Sequence, residues 1–352
     1  MGRGANSRDR TLDAFRGVMI VFVVFIHALP YLGLPAGQTW AEIFQRIVTT
    51  IAVPGFFLAD GMLFARTAGG ADWDPMARLA RSARRLLWPW LLFALVYMGL
   101  RLAVEAAGLL PRLGPPMTSP VDVARAVWVS TYASGLYFLP SLFLVRAAAI
   151  ALRPLLADGR VVAVVGLVWP FVHKAFFEPA YLGAVQPVGM DPILHAIWGF
   201  GFFVLGWTMT AWRDRLNPAI VTAAALALGA ASFAPLPAVV GAISFQLGYL
   251  LLVYGVLDAL SGRGLNLTTA VMLGRRTMGI YLLHAPLVMK ALELAITRIA
   301  DRHSPVALFA LASGSLVAAV VMTEAVSRLR LGWLLFGETG GGRRVSHLLT
   351  ER

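Results

Sequence analysis

The sequence contains no cysteine, and charged residues are scarce. Asp, Glu, Lys and Arg make up 14% of the 352 residues, whereas hydrophobic residues make up 59%. The lack of cysteine excludes disulfides, thiol nucleophiles and cysteine-ligated zinc, so any covalent catalysis must use another side chain. The scarcity of charge accompanies apolar runs that are long enough to cross a bilayer and recur along nearly the whole chain. The composition therefore predicts a polytopic, all-α membrane protein.

Two other classes fit the sequence poorly. A soluble α/β enzyme would alternate short apolar strands with amphipathic helices, whereas segments such as 219–236 and 238–257 are apolar around their full circumference. The net charge of +12 is compatible with nucleic-acid binding, but no basic stretch is interleaved with aromatic residues for base stacking. Positive charge on a membrane protein more often reflects its topology, so we expect no nucleic-acid partner.

Several common catalytic motifs are also missing. The sequence has no P-loop, no HExxH or GxSxG motif and no Cys/His metal spacing, so no metal is predicted. The N-terminal apolar segment is too long for a signal peptide, lacks a small-residue cleavage site and is interrupted by ionisable residues. We expect it to remain in the mature chain as a transmembrane helix.

Ten transmembrane helices are predicted if each span takes about 20 residues. We expect a single membrane domain over residues 1–336, followed by a short basic tail over residues 337–352. No internal repeat is evident. The approximate bounds of the ten predicted helices are 12–32, 43–64, 86–106, 135–152, 161–177, 193–212, 219–236, 238–257, 272–296 and 304–326.

The distribution of Lys and Arg predicts the orientation of these helices. With the N-terminus inside, 22 of these residues lie on the inner side and 7 on the outer side, and Arg46 lies within a span. This bias agrees with the positive-inside rule and places both termini in the cytoplasm. The expected location is a cell membrane, most simply the bacterial cytoplasmic membrane.

The first predicted helix carries three ionisable residues, Asp13, Arg16 and His27. Such groups are costly in a membrane and are functional candidates by default. Asp13 and Arg16 are three residues apart, so they could simply neutralise each other. Arg16 and His27 are eleven residues apart, which places them on one helix face about 16 Å apart along the axis. This spacing suits a long anionic substrate anchored at Arg16, with its reactive end at His27, although spacing alone also allows a structural role.

Five motifs, in this order along the chain, resemble the acyltransferase 3 family of membrane-bound O-acyltransferases. The first is LDAFRG together with the pair formed by Arg16 and His27. The others are VPGFFLADGMLF in the second helix, the arginine cluster before Pro89, YFLPSLFLV in the fourth helix, and TMGIYLLH near the end. The match extends over essentially the whole chain. Each motif is weak alone, and their number and order make the resemblance specific.

The resemblance implies transfer of an acyl group, most simply acetyl, from cytoplasmic acyl-CoA to a hydroxyl of a cell-envelope carbohydrate or a glycosylated small molecule. His27 is the candidate general base, since imidazole is well matched to this role near neutral pH. Asp13 is expected to position Arg16. The planar guanidinium group suits CoA phosphates, and the candidate donor-binding residues are Arg16, Arg81, Arg84 and Arg85.

The remaining candidates belong to the acceptor side or depart from the family pattern. His284 and Tyr281 are expected to line the acceptor cavity. Asp60 stands where the family usually has Ser; it could orient His27, bind an acceptor hydroxyl or pair with an arginine. The arginine nearest Pro89 is displaced by one residue from the commonest spacing, so Arg84 and Arg85 both remain candidates for one role.

The sequence does not determine the length of the acyl group, and it is compatible with two other functions. A succinyl donor would favour an additional cation in the inner cavity, for which Arg46 is a candidate. A secondary transporter would also keep Arg, Asp and His inside the membrane, although it would not consume a thioester. A structural or sensory protein would use the buried charges only to pair with each other.

Overall fold

A computed structural model describes residues 9–33, 37–68, 73–113, 117–177, 191–211, 218–235 and 237–337. These residues form a bundle of helices, and they contain no β-strand. The α-helices are α1 (Arg10–Leu32), α2 (Thr39–Ala68), α3 (Pro75–Ala106), α4 (Pro120–Trp128), α5 (Phe138–Ala151), α6 (Arg153–Leu156), α7 (Gly159–Val172), α8 (Pro192–Ala211), α9 (Pro218–Ala231), α10 (Ala238–Gly262), α11 (Thr268–Arg275), α12 (Thr277–Leu283), α13 (Met289–Ile296), α14 (Pro305–Arg328) and α15 (Gly332–Leu335).

Within the described residues, nine helical segments are long and apolar enough to cross a membrane. Each corresponds to one of the predicted spans, which confirms a polytopic helical membrane protein. A 3₁₀ turn (Ser134–Tyr137) extends α5, and a π-helical turn (His173–Phe177) extends α7. The short α4 begins with a capping box formed by Ser119 and Asp122 and precedes the fourth span. Of the predicted basic tail, only Gly337 belongs to the described residues.

The predicted helix over residues 219–236 is shorter in the structure. Its counterpart α9 has 14 residues and ends at Ala231, which at 1.5 Å per residue is about 21 Å and less than the hydrocarbon thickness. The chain turns after Ala231 because Pro235 and Pro237 follow, and proline disfavours helical backbone at the residue before it. The described part of this segment therefore packs against α10 as a short apolar helix.

The predicted helix over residues 272–296 is also wrong as a continuous element. The structure breaks it first at Arg276, between α11 and α12, and again in the π-helical turn His284–Val288. Ala285 has extended backbone angles there, and Pro286 follows it through a cis peptide bond. The break is enclosed by neighbouring helices, as non-helical backbone within a membrane must be. It places the side chain of His284 inside the bundle.

Helix α1 lies in the middle of the bundle and contacts α2, α10, α11, α12, α13 and α14. Its contact with α11 is close because Gly17 faces the backbone of Ala270, and Gly274 faces the backbone of Asp13. A Cβ atom at either glycine would overlap the opposing carbonyl group. Small residues of this kind let membrane helices approach each other. The glycine that follows Arg16 thus brings the start of α12 next to Arg16.

The alternating direction of the helices defines two ends of the bundle. The N-terminal face contains the start of α1, α3 and α12 and the end of α2 and α5. The opposite face contains the end of α1 and α7 and the start of α2, α8 and α10.

Candidate active site

Two histidines meet in the interior of the bundle. Nδ1 of His27, in α1, lies 2.7 Å from Nε2 of His284, at the break after α12. The residues are 257 positions apart in the sequence, so only the fold brings them together. His284 is 2% exposed. The sequence assigned His27 to catalysis and His284 to the acceptor cavity, whereas the structure makes them direct partners.

The hydrogen bonds of this pair define the protonation of both rings. Nδ1 of His284 lies 3.0 Å from the carbonyl oxygen of Ile280, and a carbonyl oxygen can only accept a hydrogen bond. Nδ1 of His284 therefore carries a proton, and Nε2 of the neutral ring accepts one from Nδ1 of His27. In neutral His27, Nε2 is then the nitrogen with the available lone pair. This is the tautomer that a general base requires.

Gly135 lies beside this nitrogen and has no side chain to fill the space there. A Cβ atom at Gly135 would lie 2.9 Å from Cε1 and 3.0 Å from Nε2 of His27. The carbonyl group of Gly135 accepts a hydrogen bond from the hydroxyl group of Tyr281. Tyr281 therefore holds the 3₁₀ turn before α5 against His27. Glycine at position 135 keeps this approach to Nε2 open.

A small cavity of about 80 Å³ opens toward the N-terminal face. Its lining comes from five helices and brings together four of the sequence-predicted residues. Charged and polar residues of the lining are Arg16, Asp60, Arg85, Arg146, Thr277 and Tyr281. The space is lined by guanidinium groups at the N-terminal end and approaches the Tyr281 hydroxyl in the interior.

Arg16 is held in place by contacts with α12 and with its own helix. Its Nη2 donates a hydrogen bond of 2.8 Å to Oγ1 of Thr277. Asp13 lies 3.9 Å from Arg16 and also accepts a hydrogen bond of 3.2 Å from Nε of Arg275. Asp13 thus joins α1 to the end of α11. The positioning role of Asp13 toward Arg16 stays a prediction.

Asp60 forms an ion pair with Arg146. Nε of Arg146, in α5, donates a hydrogen bond of 2.6 Å to Oδ2 of Asp60, and Nη2 of the same arginine donates to Oδ1. The two side chains form a bidentate pair, which is a strong form of charge-assisted hydrogen bond. Pairing with an arginine is one of the three roles that the sequence left open for Asp60. The pair lies in the wall of the small cavity.

Only one of the three candidate arginines of α3 lines the small cavity. Arg85 lines the small cavity, whereas Arg81 and Arg84 are exposed residues on the same end of α3 and are not part of its lining. Nε of Arg81 donates to the carbonyl oxygen of Ala77. Of the two candidates left open near Pro89, Arg85 is therefore the one that faces the cavity.

A larger cavity of about 860 Å³ opens toward the opposite face. Its lining includes Ile26 and Tyr137, which are close in the sequence to His27 and Gly135. Arg46 also belongs to this cavity, so its predicted place in the inner cavity beside the donor is wrong. The pair of His27 and His284 lines neither cavity itself. Its ring neighbour Tyr281 belongs to the small, arginine-lined cavity, and Ile26, the residue before His27, belongs to the larger one.

The residues of this site are spread over nearly the whole chain, and the similarity of the chain to known proteins extends over the same range. Residues 9–324 match the family model of acyltransferase 3, which is described as an acyltransferase domain. The chain belongs to the acyltransferase 3 family. It is therefore a multi-pass membrane acyltransferase, which confirms the resemblance seen in the sequence. No curated protein and no solved structure matches the chain.

Two residues of this acyltransferase 3 protein escaped sequence reasoning. Arg146 lies inside the predicted fourth span, so it is an intramembrane charge that called for a partner, and Asp60 was available. Gly135 carries no chemical group, and only the structure shows that it faces His27. Among the described residues, no three His, Asp or Glu side chains are grouped as metal ligands.

Proposed function

We propose that this protein transfers an acetyl group from acetyl-CoA, bound at the N-terminal face, to a hydroxyl group of a carbohydrate that enters from the opposite face. The Lys and Arg distribution makes the N-terminal face cytoplasmic. The donor would then be the cytoplasmic acyl-CoA, and the acceptor a glycan or glycosylated molecule on the outer side of a bacterial cytoplasmic membrane.

One observation carries this proposal: the hydrogen bonds of His284 leave the lone pair of His27 Nε2 on the side of Gly135. A hydroxyl group approaching from the larger cavity would give its proton to Nε2 as its oxygen attacks the thioester carbonyl carbon. The carbon–sulfur bond then breaks, and the CoA thiolate takes the proton back from His27. His284 acts as a positioning residue, because its accepting nitrogen holds His27 in the required tautomer.

The shape of the small cavity indicates how the donor would lie. A volume of about 80 Å³ admits the thin acyl end of acyl-CoA but not its nucleotide. The phosphates and adenine would therefore remain at the N-terminal face, where Arg81 and Arg84 are exposed. Arg16 and Arg85 line the entrance through which the arm passes. Arginine is well suited to bind phosphate at such a site.

The test is acetyl-CoA binding and CoA release by the purified protein in detergent. Arg16→Ala is expected to weaken acetyl-CoA binding, since it removes a cation from the donor cavity. His27→Ala is expected to bind acetyl-CoA normally and to release no CoA. Two residues outside both cavities supply matched controls: Arg263→Ala on the N-terminal face and His303→Ala near the start of α14. Both controls should behave as wild type.

The outcome also separates acyl transfer from the alternatives. Normal CoA release by His27→Ala would show that another group acts as the base. A protein that moves a solute across vesicles but never consumes the thioester would be a transporter. If His27→Ala unfolds and wild type turns over no acyl-CoA, the histidine pair has a purely structural role.

A further inference from the structure

The large cavity on the opposite face contains an arginine that forms no ion pair with a carboxylate of the described residues. Arg46 lies on α2, seven residues after its start, which is about 10 Å along the axis. The ion pairs formed among the described residues do not include it. An arginine within a predicted span is a candidate functional residue.

The rest of the described lining adds no negative charge. Among the described residues that line it, none is Asp or Glu, and Lys174 adds a second basic side chain. The carboxylates at the same ends of α2 and α8, Glu42 and Asp191, accept hydrogen bonds from the backbone amides of Gly37 and Ile193. The described lining therefore carries basic and no acidic side chains, and the cavity walls focus this potential on whatever enters.

The remaining lining fits a sugar. Trp198 and Tyr137 offer flat aromatic faces of the kind that pack against a pyranose ring. Nε2 of Gln246 donates to the backbone carbonyl of Thr50, which fixes the amide group at the wall and leaves its oxygen to accept from a hydroxyl group. A volume of about 860 Å³ is in the range of sites that bind organic ligands.

We propose that the acceptor of this enzyme is an anionic carbohydrate, whose carboxylate or phosphate is bound by Arg46 while a hydroxyl group of the same molecule reaches His27. This inference rests on the proposed acyl transfer and names the class of its acceptor. A guanidinium group binds either anion with two parallel hydrogen bonds. Arg46 and Ile26 both line the cavity, so a sugar bound by Arg46 would lie next to the residue that precedes His27.

Binding to the full-length protein in detergent tests the proposal, with three soluble sugars as probes. Methyl glucoside is neutral, methyl glucuronide carries a carboxylate, and glucose 1-phosphate carries a phosphate. We expect at least one anionic sugar to bind more tightly than the glucoside by about tenfold or more, as for hydrogen bonds to a charged group. Which of the two binds identifies the source of the negative charge.

Arg46→Gln should remove this preference and leave binding of the glucoside unchanged, whereas Arg46→Lys should keep part of it. Arg125→Gln is the matched control, because Arg125 is an exposed arginine of α4 that does not line the cavity. Equal binding of the three sugars by wild type, or an unchanged preference in Arg46→Gln, would overturn the proposal. So would stabilisation of wild type by phosphatidylglycerol and not by either anionic sugar, since Arg46 would then anchor a lipid headgroup.

A second measurement on the same samples keeps this inference separate from the proposed function. CoA release from acetyl-CoA is followed with each sugar present. If CoA is released but neutral and anionic sugars are bound alike, only the acceptor class is wrong. If the anionic sugars bind through Arg46 and no acyl-CoA is consumed, the cavity binds anions and the acyl-transfer proposal fails.

Discussion

Replacing Gly135 with alanine tests whether Nε2 of His27 is the reacting nitrogen. The added methyl carbon would lie 2.9 Å from Cε1 and 3.0 Å from Nε2 of His27. Non-bonded heavy atoms prefer a separation of about 3.5–4.0 Å. The imidazole or the 3₁₀ turn must therefore shift by about 0.5–1 Å. The methyl group would also occupy the space through which a hydroxyl group reaches Nε2.

A displacement of this size has a large effect on a reaction that depends on alignment. A misplacement of about 1 Å can slow catalysis by about a hundredfold, so we expect Gly135→Ala to lower kcat by about tenfold to a hundredfold. Binding of acetyl-CoA should change little, because Gly135 is not part of the lining of the donor cavity. The effect should therefore appear in kcat and not in the affinity for the donor.

The assay is CoA release at saturating acetyl-CoA, beside acetyl-CoA binding and thermal unfolding of the same sample. Gly99→Ala in α3 is the matched control, since a Cβ atom there would meet nothing within 4 Å. It should keep wild-type activity. Full activity in a folded Gly135→Ala protein would refute the argument that substrate approaches His27 on this side.

Two other predictions concern the buried polar pairs. His284→Phe keeps a ring at this position but removes the nitrogen that accepts a hydrogen bond from His27. We expect kcat to fall by about tenfold or more, because a charge-assisted contact is lost in the transition state. Binding of acetyl-CoA should be unchanged. His284→Gln, whose amide oxygen can accept the same proton, should recover part of kcat, and no recovery would point to a packing role. Asp60→Ala leaves Arg146 as a buried, unpaired charge, which should destabilise the protein by about 3–5 kcal/mol, measured as a lower melting temperature. Asp60→Ala combined with Arg146→Met should restore part of that stability, and an Asp60→Ala protein as stable as wild type would contradict the account.

The sequence was sufficient for the membrane fold because hydrophobic length and basic flanking residues report directly on spans. It was insufficient at the two places where proline redirects the chain. Residues around His284 are apolar on both sides of Pro286, so a hydropathy window averages across the break that positions the histidine. Ala231 ends α9 early for a similar reason, since the residues that follow are still hydrophobic.

The sequence identified individual residues of the site, but it did not identify the contacts between them. His27, Arg16 and Asp13 share a helix, so their relation follows from helix geometry. The pair of Asp60 and Arg146 joins positions that are 86 residues apart, and a single sequence carries no record of such a pairing. The same holds for Arg46, whose charge is visible in the sequence but whose cavity is formed by the assembled bundle.

The central claim is that donor and acceptor meet at His27 from opposite sides of the membrane. Proteoliposomes test it directly, with acetyl-CoA supplied on one side and, on the same or the other side, whichever of the three sugars gives most CoA release. We predict acetyl transfer only when donor and acceptor are on opposite sides, whichever way the protein is inserted. Equal transfer with both substrates on the same side would contradict the claim that the two cavities deliver them separately to His27.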